Sequence, residues 1–245
     1  MSFYLDTVEL EKFKVILPPA ASHEAYCVAL AIRPKYLGID ERLSLQISKT
    51  TMAGMTIVRD GDWHGAIAKA YSCLQYMVTR NGSPVPAKAV VCYGSINPKS
   101  LLKAYNSFSA TIAEKIADAI VMGSGDLSFL ARIDKELNSA IAKSPGKRTF
   151  LDIDMDVHDI GRYKGFLEDL KKHNIHHHII RTQGGYHLLI DTKTVRKTGY
   201  RLQDNIAELR KIAEPYEERI ELPSNDIVPV PGTMQNETVV QLIDI

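Results

Sequence analysis

The chain has 245 residues, of which 45% are hydrophobic and 24% charged, with a formal net charge of +1; this is enough for a proper core in one large domain or two small ones. So even a balance excludes nucleic-acid binding through an overall basic surface, and a binder of this composition must segregate a basic groove from an acidic centre. Cys27, Cys73 and Cys92 lie far apart without paired spacing, which argues against a zinc site or a disulfide framework and fits a reducing, cytosolic setting. The N-terminus carries neither the basic flank nor the apolar run of a signal peptide, and no apolar stretch is long enough for a bilayer, so a soluble intracellular protein is expected.

Taken in chain order, the first half reads as mixed α/β. Short strands are expected at 25–32, 43–47 and 55–58, a helix at 63–78, and an apolar strand at 87–93 entering a turn over 94–100. Apolar residues at helical spacing predict helices over 101–121 and 127–142, separated at 123–126, and residues 143–147 punctuate the chain before its most informative stretch. That stretch is a strand over 149–156. A helix at 160–173, a strand at 177–182, a tight turn at Gln183-Gly184-Gly185, a strand at 186–191 and a helix at 195–215 follow; β-prone runs at 227–230 and 238–243 close the sequence. The second half thus has the order βαββαβ of an RRM-like (ferredoxin-like) sheet, with helices on one face and the other face free. The expected fold class is α+β, an N-terminal mixed α/β subdomain over 1–147 packed with an RRM-like catalytic sheet over 148–245.

On a strand, alternate side chains share a face, so Asp152, Asp154 and Asp156 project together while Leu151, Ile153 and Met155 pack on the opposite side. Carboxylates this close repel one another and are stabilised by a hard divalent cation, as metal-bound phosphoryl transfer requires. The plain alternative is a charged strand edge. In the hairpin 181–187, glycines let a phosphate approach the backbone, Arg181 and Thr182 are donors, and His187 opens the next strand within reach of a phosphate oxygen; taken alone, it also reads as an ordinary Gly-containing turn. His176, His177 and His178 alternate faces and cannot converge on one ion. The Pro- and Gly-rich segment 223–235 is either a closing loop or the carrier of a third carboxylate, Asp226, with Thr233 or Gln235 as polar contacts.

In combination these elements are similar to a known pattern. Phe150-Leu151-Asp152-Ile153-Asp154 resembles the hhhDhD motif of the archaeo-eukaryotic primase superfamily, and Gln183-Gly184-Gly185-Tyr186-His187 resembles its sxH motif. Asp226 stands where the third, hD, motif falls, although Asn225 precedes it in place of an apolar residue, and Asp156 is an additional acid that competes for the role. Val230-Pro231-Gly232-Thr233-Met234-Gln235 is similar to the PGT-x-Q tail of phage and plasmid primase-polymerases, and the turn 93–99 resembles their Asn-Pro-Arg/Lys element. The likeness covers roughly residues 90–240.

The resemblance implies a DNA primase/polymerase that copies single-stranded DNA from nucleoside triphosphates. Asp152, Asp154 and Asp226 would hold Mg2+ or Mn2+; Arg181, Thr182, Gln183, Gly185 and His187 would contact the nucleotide. Candidate template contacts are Lys88, Lys99, Lys103, Lys147 and Arg148. No helicase region is present, which implies a separate helicase as partner, and no membrane is expected. Two other readings remain open: a catalytically silent, primase-like nucleic-acid-binding module, and another metal-dependent phosphotransferase such as a nucleotide cyclase, in whose chemistry the hairpin and tail have no evident role.

Overall fold

The computed structural model describes residues 3–45, 49–73, 84–123, 127–195, 202–221 and 226–243. In chain order these form α1 (Thr7–Ile16), β1 (Glu24–Ile32), α2 (Ile39–Leu45), β2 (Thr51–Val58), α3 (Trp63–Ser72), β3 (Val90–Ser95), β4 (Lys99–Ser100), α4 (Leu101–Val121), α5 (Ile133–Lys143) and β5 (Phe150–Met155). There follow α6 (Lys164–Lys172), β6 (His177–Arg181), β7 (Tyr186–Asp191), α7 (Thr192–Val195), α8 (Leu202–Ala213), β8 (Ile220–Glu221), β9 (Ile227–Pro229), β10 (Met234–Gln235), β11 (Thr238–Val239) and β12 (Gln241–Ile243). Side-chain caps set the helix starts: Asp6 accepts from Val8 N, Asp62 from Gly65 N and Ser100 from Lys103 N, each satisfying an amide that the first turn leaves without a partner.

The fold is mixed α+β with antiparallel sheets. The first sheet has the order β2-β1-β3-β9, with β4 also pairing with β1; the second has the order β12-β6-β7-β5-β8. Every pairing is antiparallel. Leu151, Ile153 and Met155 of β5, with Ile179 of β6 and Leu188 and Ile190 of β7, pack beneath Phe166 and Leu170 of α6 and Leu209 of α8. The strand period thus buries one face of the second sheet under helices.

The opposite face differs from the free surface expected from sequence. Phe150, Ile180, Leu189 and Leu242 join a core that also contains Phe13 of α1, Val28 and Leu30 of β1, and Trp63 and Ile67 of α3. Part of the face therefore packs on the first sheet's core, and the end carrying Asp154 and His187 borders a cleft. The C-terminal segment returns to the first sheet, where Tyr93, Gly94 and Ser95 pair with Pro229, Val228 and Ile227. The two halves share a core, and the second lends β9 to the first sheet.

Residues 39–45 form a helix, correcting the strand expected at 43–47, whose last residues lie outside those described. Leu43-Ser44-Leu45 alternates as a strand would, but Asp40 and Glu41 favour a helix start through the dipole, and the Glu41 carboxylate accepts from Gly38 N at 2.8 Å. The helix expected at 63–78 is described to Ser72, and the separator 124–126 and residues 196–201 of the last expected helix fall outside the described residues. Among the described residues, no helix is long and apolar enough to cross a membrane.

Candidate functional site

Strand register assembles the site. Asp154 lies directly opposite His187 across the β5/β7 ladder, so Asp152 is the diagonal neighbour on the same face. His187 Nδ1 is 3.1 Å from both Asp152 carboxylate oxygens. A carboxylate only accepts, so Nδ1–H is the donor. The Asp152 side chain is 0% exposed and that of His187 13%. Burial works against protonation of His187, but the hydrogen bond it donates to Asp152 and the charges of Asp152, Asp154 and Asp156 outweigh it and raise the imidazole above its usual range.

Asp154, Asp156, His187, Thr182 and Gly184 line one side of a cleft of about 270 Å³, with Gln235 at its margin. The other side comes from the first sheet and the turn after it: Ala31, Arg33, Lys35, Met52 and Tyr93, with Ile227 and Pro229 of β9. Arg33 hydrogen-bonds the Tyr93 hydroxyl and its guanidinium lies 5.9 Å from that ring's centroid. Burial, only partly offset by Arg33, pushes the Tyr93 phenol up. The cleft is therefore acidic on one wall and basic on the other.

The hairpin reaches this cleft because it is built of small residues. Gly185 has φ +152°, and a Cβ there would lie 2.2 Å from the Met155 carbonyl oxygen, so only glycine lets the turn abut the end of β5. Its polar groups are already engaged. Thr182 N donates to Gly185 O at 2.8 Å, Gly184 N to Thr182 Oγ1 at 3.2 Å and Gln183 N to Gln235 Oε1 at 2.9 Å; Gln183 Oε1 accepts from Thr238.

Other residues singled out in the sequence lie elsewhere. Arg181 is exposed, bonded to Gln241 and paired across the ladder with Tyr186, whose ring lies in the core under α6 and α8, so it belongs to the helix-covered face. Asp226 lines a second depression of about 360 Å³ with Lys99, Arg148, Cys27 and Ala29. It accepts from Lys99 Nζ at 3.2 Å and lies 3.5 Å from Arg148 Nη2. The two depressions adjoin at Met52 and Ile227, which line both. Lys88 pairs with Glu41 at 2.7 Å, Lys103 donates to the Pro145 carbonyl at 3.1 Å, and Lys147 is exposed. Among the histidines, His178 sits edge-on to Phe150 while His177 Nδ1 lies 3.2 Å from the Ile175 carbonyl, on opposite faces of β6 as alternation requires.

Among the described residues, no three His, Cys, Asp or Glu side chains already converge on one ion position. Arg33 and Lys35 are charged residues of the cleft that the sequence patterns did not single out. The available signal was cations placed immediately after a strand without charge from Ala25 to Ile32, at an X-Pro step, Arg33-Pro34-Lys35. Comparison of the chain with protein-family models, with curated proteins and with solved structures returned no match.

Proposed function

We propose that the chain is a template-dependent nucleotidyltransferase, a DNA primase/polymerase that makes RNA or DNA on single-stranded DNA. The observation that carries this reading is the direct register of Asp154 with His187 at the mouth of a two-walled cleft. It sets an acidic strand beside a Gly-Gly-Tyr-His hairpin, the pair of motifs on which the resemblance rests. The sheet order β8-β5-β7-β6, with α6 and α8 on its crossovers, supports an RRM-like catalytic sheet extended by β12.

The donor chemistry fits Mg2+ or Mn2+, since Asp154 and Asp156 present hard carboxylate oxygens to the cleft. Mg2+ commonly takes only one or two carboxylates and completes its shell with water and substrate phosphate oxygens, so the lack of a ready three-ligand cluster is consistent with it. When bound, the ion supplies charge neutralisation at the phosphoryl group being transferred and lowers the pKa of an attacking hydroxyl. In this reading Asp154 and Asp156 hold the ion. Asp152 acts from behind, fixing His187 through Nδ1 and leaving Nε2 as the nitrogen available to a nucleotide phosphate. The adjoining depression, with Lys99 and Arg148, takes nucleic acid, and its Asp226 is a neighbour of the metal site.

The direct test is incubation with single-stranded DNA, Mn2+ or Mg2+ and labelled nucleotides. Products complementary to the template are expected. A second reading, the silent nucleic-acid-binding module, is favoured by the complete burial of the Asp152 side chain; template binding with no product under any metal or nucleotide condition would establish it instead.

A further inference from the structure

We propose that Arg33 and Lys35, contributed by the first sheet, are the seat for the phosphate chain of the incoming nucleotide; this rests on the nucleotidyltransferase reading and assigns the cationic half of its site. The catalytic sheet is short of groups for this task. Its one arginine near the hairpin, Arg181, lies on the helix-covered face, and the amides of Thr182, Gln183 and Gly184 are spent on closing the turn and on Gln235. His187 alone cannot match a polyanion, which needs several charge-assisted donors beyond a metal ion.

The facing wall supplies them. Arg33 is held against the Tyr93 ring and hydroxyl, and among the described residues that hydroxyl is the one side-chain acceptor it meets out of a guanidinium's five donors. Lys35 Nζ lies 5.3 Å from the Tyr36 ring centroid and 3.3 Å from where a Cβ on Gly184 would stand, so its ammonium rests against the hairpin that carries His187. Neither cation is in an ion pair with a described carboxylate, in contrast to Lys88 and Lys99. Unpaired cations on one wall and Asp154 and Asp156 on the other are what a metal-bound polyphosphate would bridge. A cleft of about 270 Å³ is smaller than the usual 300–1,000 Å³ of a small-molecule site, which suits the phosphate chain, with sugar and base extending past Met52 and Ile227 into the adjoining depression.

The test is equilibrium binding of a fluorescent nucleoside triphosphate to the full chain with Mn2+, competed by inorganic tripolyphosphate. Arg33→Ala and Lys35→Ala should each weaken nucleotide and tripolyphosphate roughly ten- to a hundredfold, leave single-stranded DNA binding unchanged and keep the thermal midpoint, while Arg181→Ala should leave all affinities within about twofold. Lys35 is exposed, so Lys35→Ala decides the matter should Arg33→Ala fold poorly. Wild-type affinity retained in Lys35→Ala overturns this assignment and leaves the nucleotidyltransferase reading standing; a wild-type protein that binds neither nucleotide nor tripolyphosphate overturns both.

Discussion

The side chain of Asn97 grips the backbone of Phe150 on both sides: Nδ2 donates to the Phe150 carbonyl at 2.9 Å while Oδ1 accepts from the Phe150 amide at 2.9 Å. The same oxygen accepts from Thr149 N at 2.7 Å, and the residue is 1% exposed. A turn of the first sheet thereby fixes the point at which the acidic strand begins.

Truncating this clamp strands buried backbone groups, each costing about 1–3 kcal/mol. Asn97→Ala should therefore lower the unfolding free energy by about 3 kcal/mol or more. Urea denaturation checks this; a loss below about 1 kcal/mol would show that the clamp is dispensable.

The two hairpin glycines should differ sharply. Gly185→Ala forces a Cβ to within 2.2 Å of the Met155 carbonyl oxygen, whereas at Gly184 the nearest group is the flexible end of Lys35 at 3.3 Å. In urea denaturation Gly185→Ala should cost at least about 2 kcal/mol, and it should disrupt nucleotide incorporation; Gly184→Ala should stay within about 1 kcal/mol in the same titrations.

The acids should separate by role. Asp154→Ala should abolish synthesis, a loss of at least about a hundredfold, with template binding retained. Asp156→Ala should weaken Mn2+ binding more than Asp226→Ala, because Asp156 lines the cleft and Asp226 is held by Lys99 and Arg148. Titration of Mn2+ by electron paramagnetic resonance measures both, and the reverse order would return Asp226 to the ligand set.

Asp152 and His187 should behave as one unit. His187→Ala should raise the KM for nucleotide, Asp152→Asn should do the same, and the double variant should be little worse than either single change. Steady-state kinetics on the four proteins gives the coupling; additive losses would show that Asp152 acts independently of the imidazole.

Thiol chemistry tests the packing of the first sheet. Cys27 is buried and its thiol pushed up to about 11, chiefly by burial; burial also pushes the Cys92 thiol up, whereas Cys73 is exposed. At pH 8 a thiol reagent should label Cys73 readily in the native protein, and Cys27 and Cys92 only on unfolding. Mass spectrometry of labelled peptides reads this out, and rapid native labelling of Cys92 would contradict the described core.

Strand period made the second half legible. Alternation at 150–155 and the Gly-Gly turn mark β5, β7 and the shared face of Asp152 and Asp154, because local spacing determines those features. Other features depend on contacts between distant segments. Burial of Asp152 follows from the first sheet packing over Phe150 and Leu189. Arg33 and Lys35 reach the cleft only because β9 and the hairpin close around the turn after β1. Arg181 lies on the helix-covered face because Ile180 rather than Arg181 pairs with His187, and which residue of β6 does so is set by the register of the ladder rather than by the spacing within one strand. Helix α1 and its cap at Asp6 were present in sequence as an acid before a helical run.

The loan of β9 to the first sheet has a consequence for how the molecule is made. The first sheet is begun by Glu24–Ile32 but lacks its β9 edge until Ile227–Pro229 has emerged and docked on Tyr93, Gly94 and Ser95. Pairing across so long a stretch of chain is slow, and until it occurs β3 shows an unpaired edge beside the cleft. The basic wall of the cleft, although Arg33, Lys35 and Tyr93 stand early in the chain, is thus framed only when this late-emerging strand has docked.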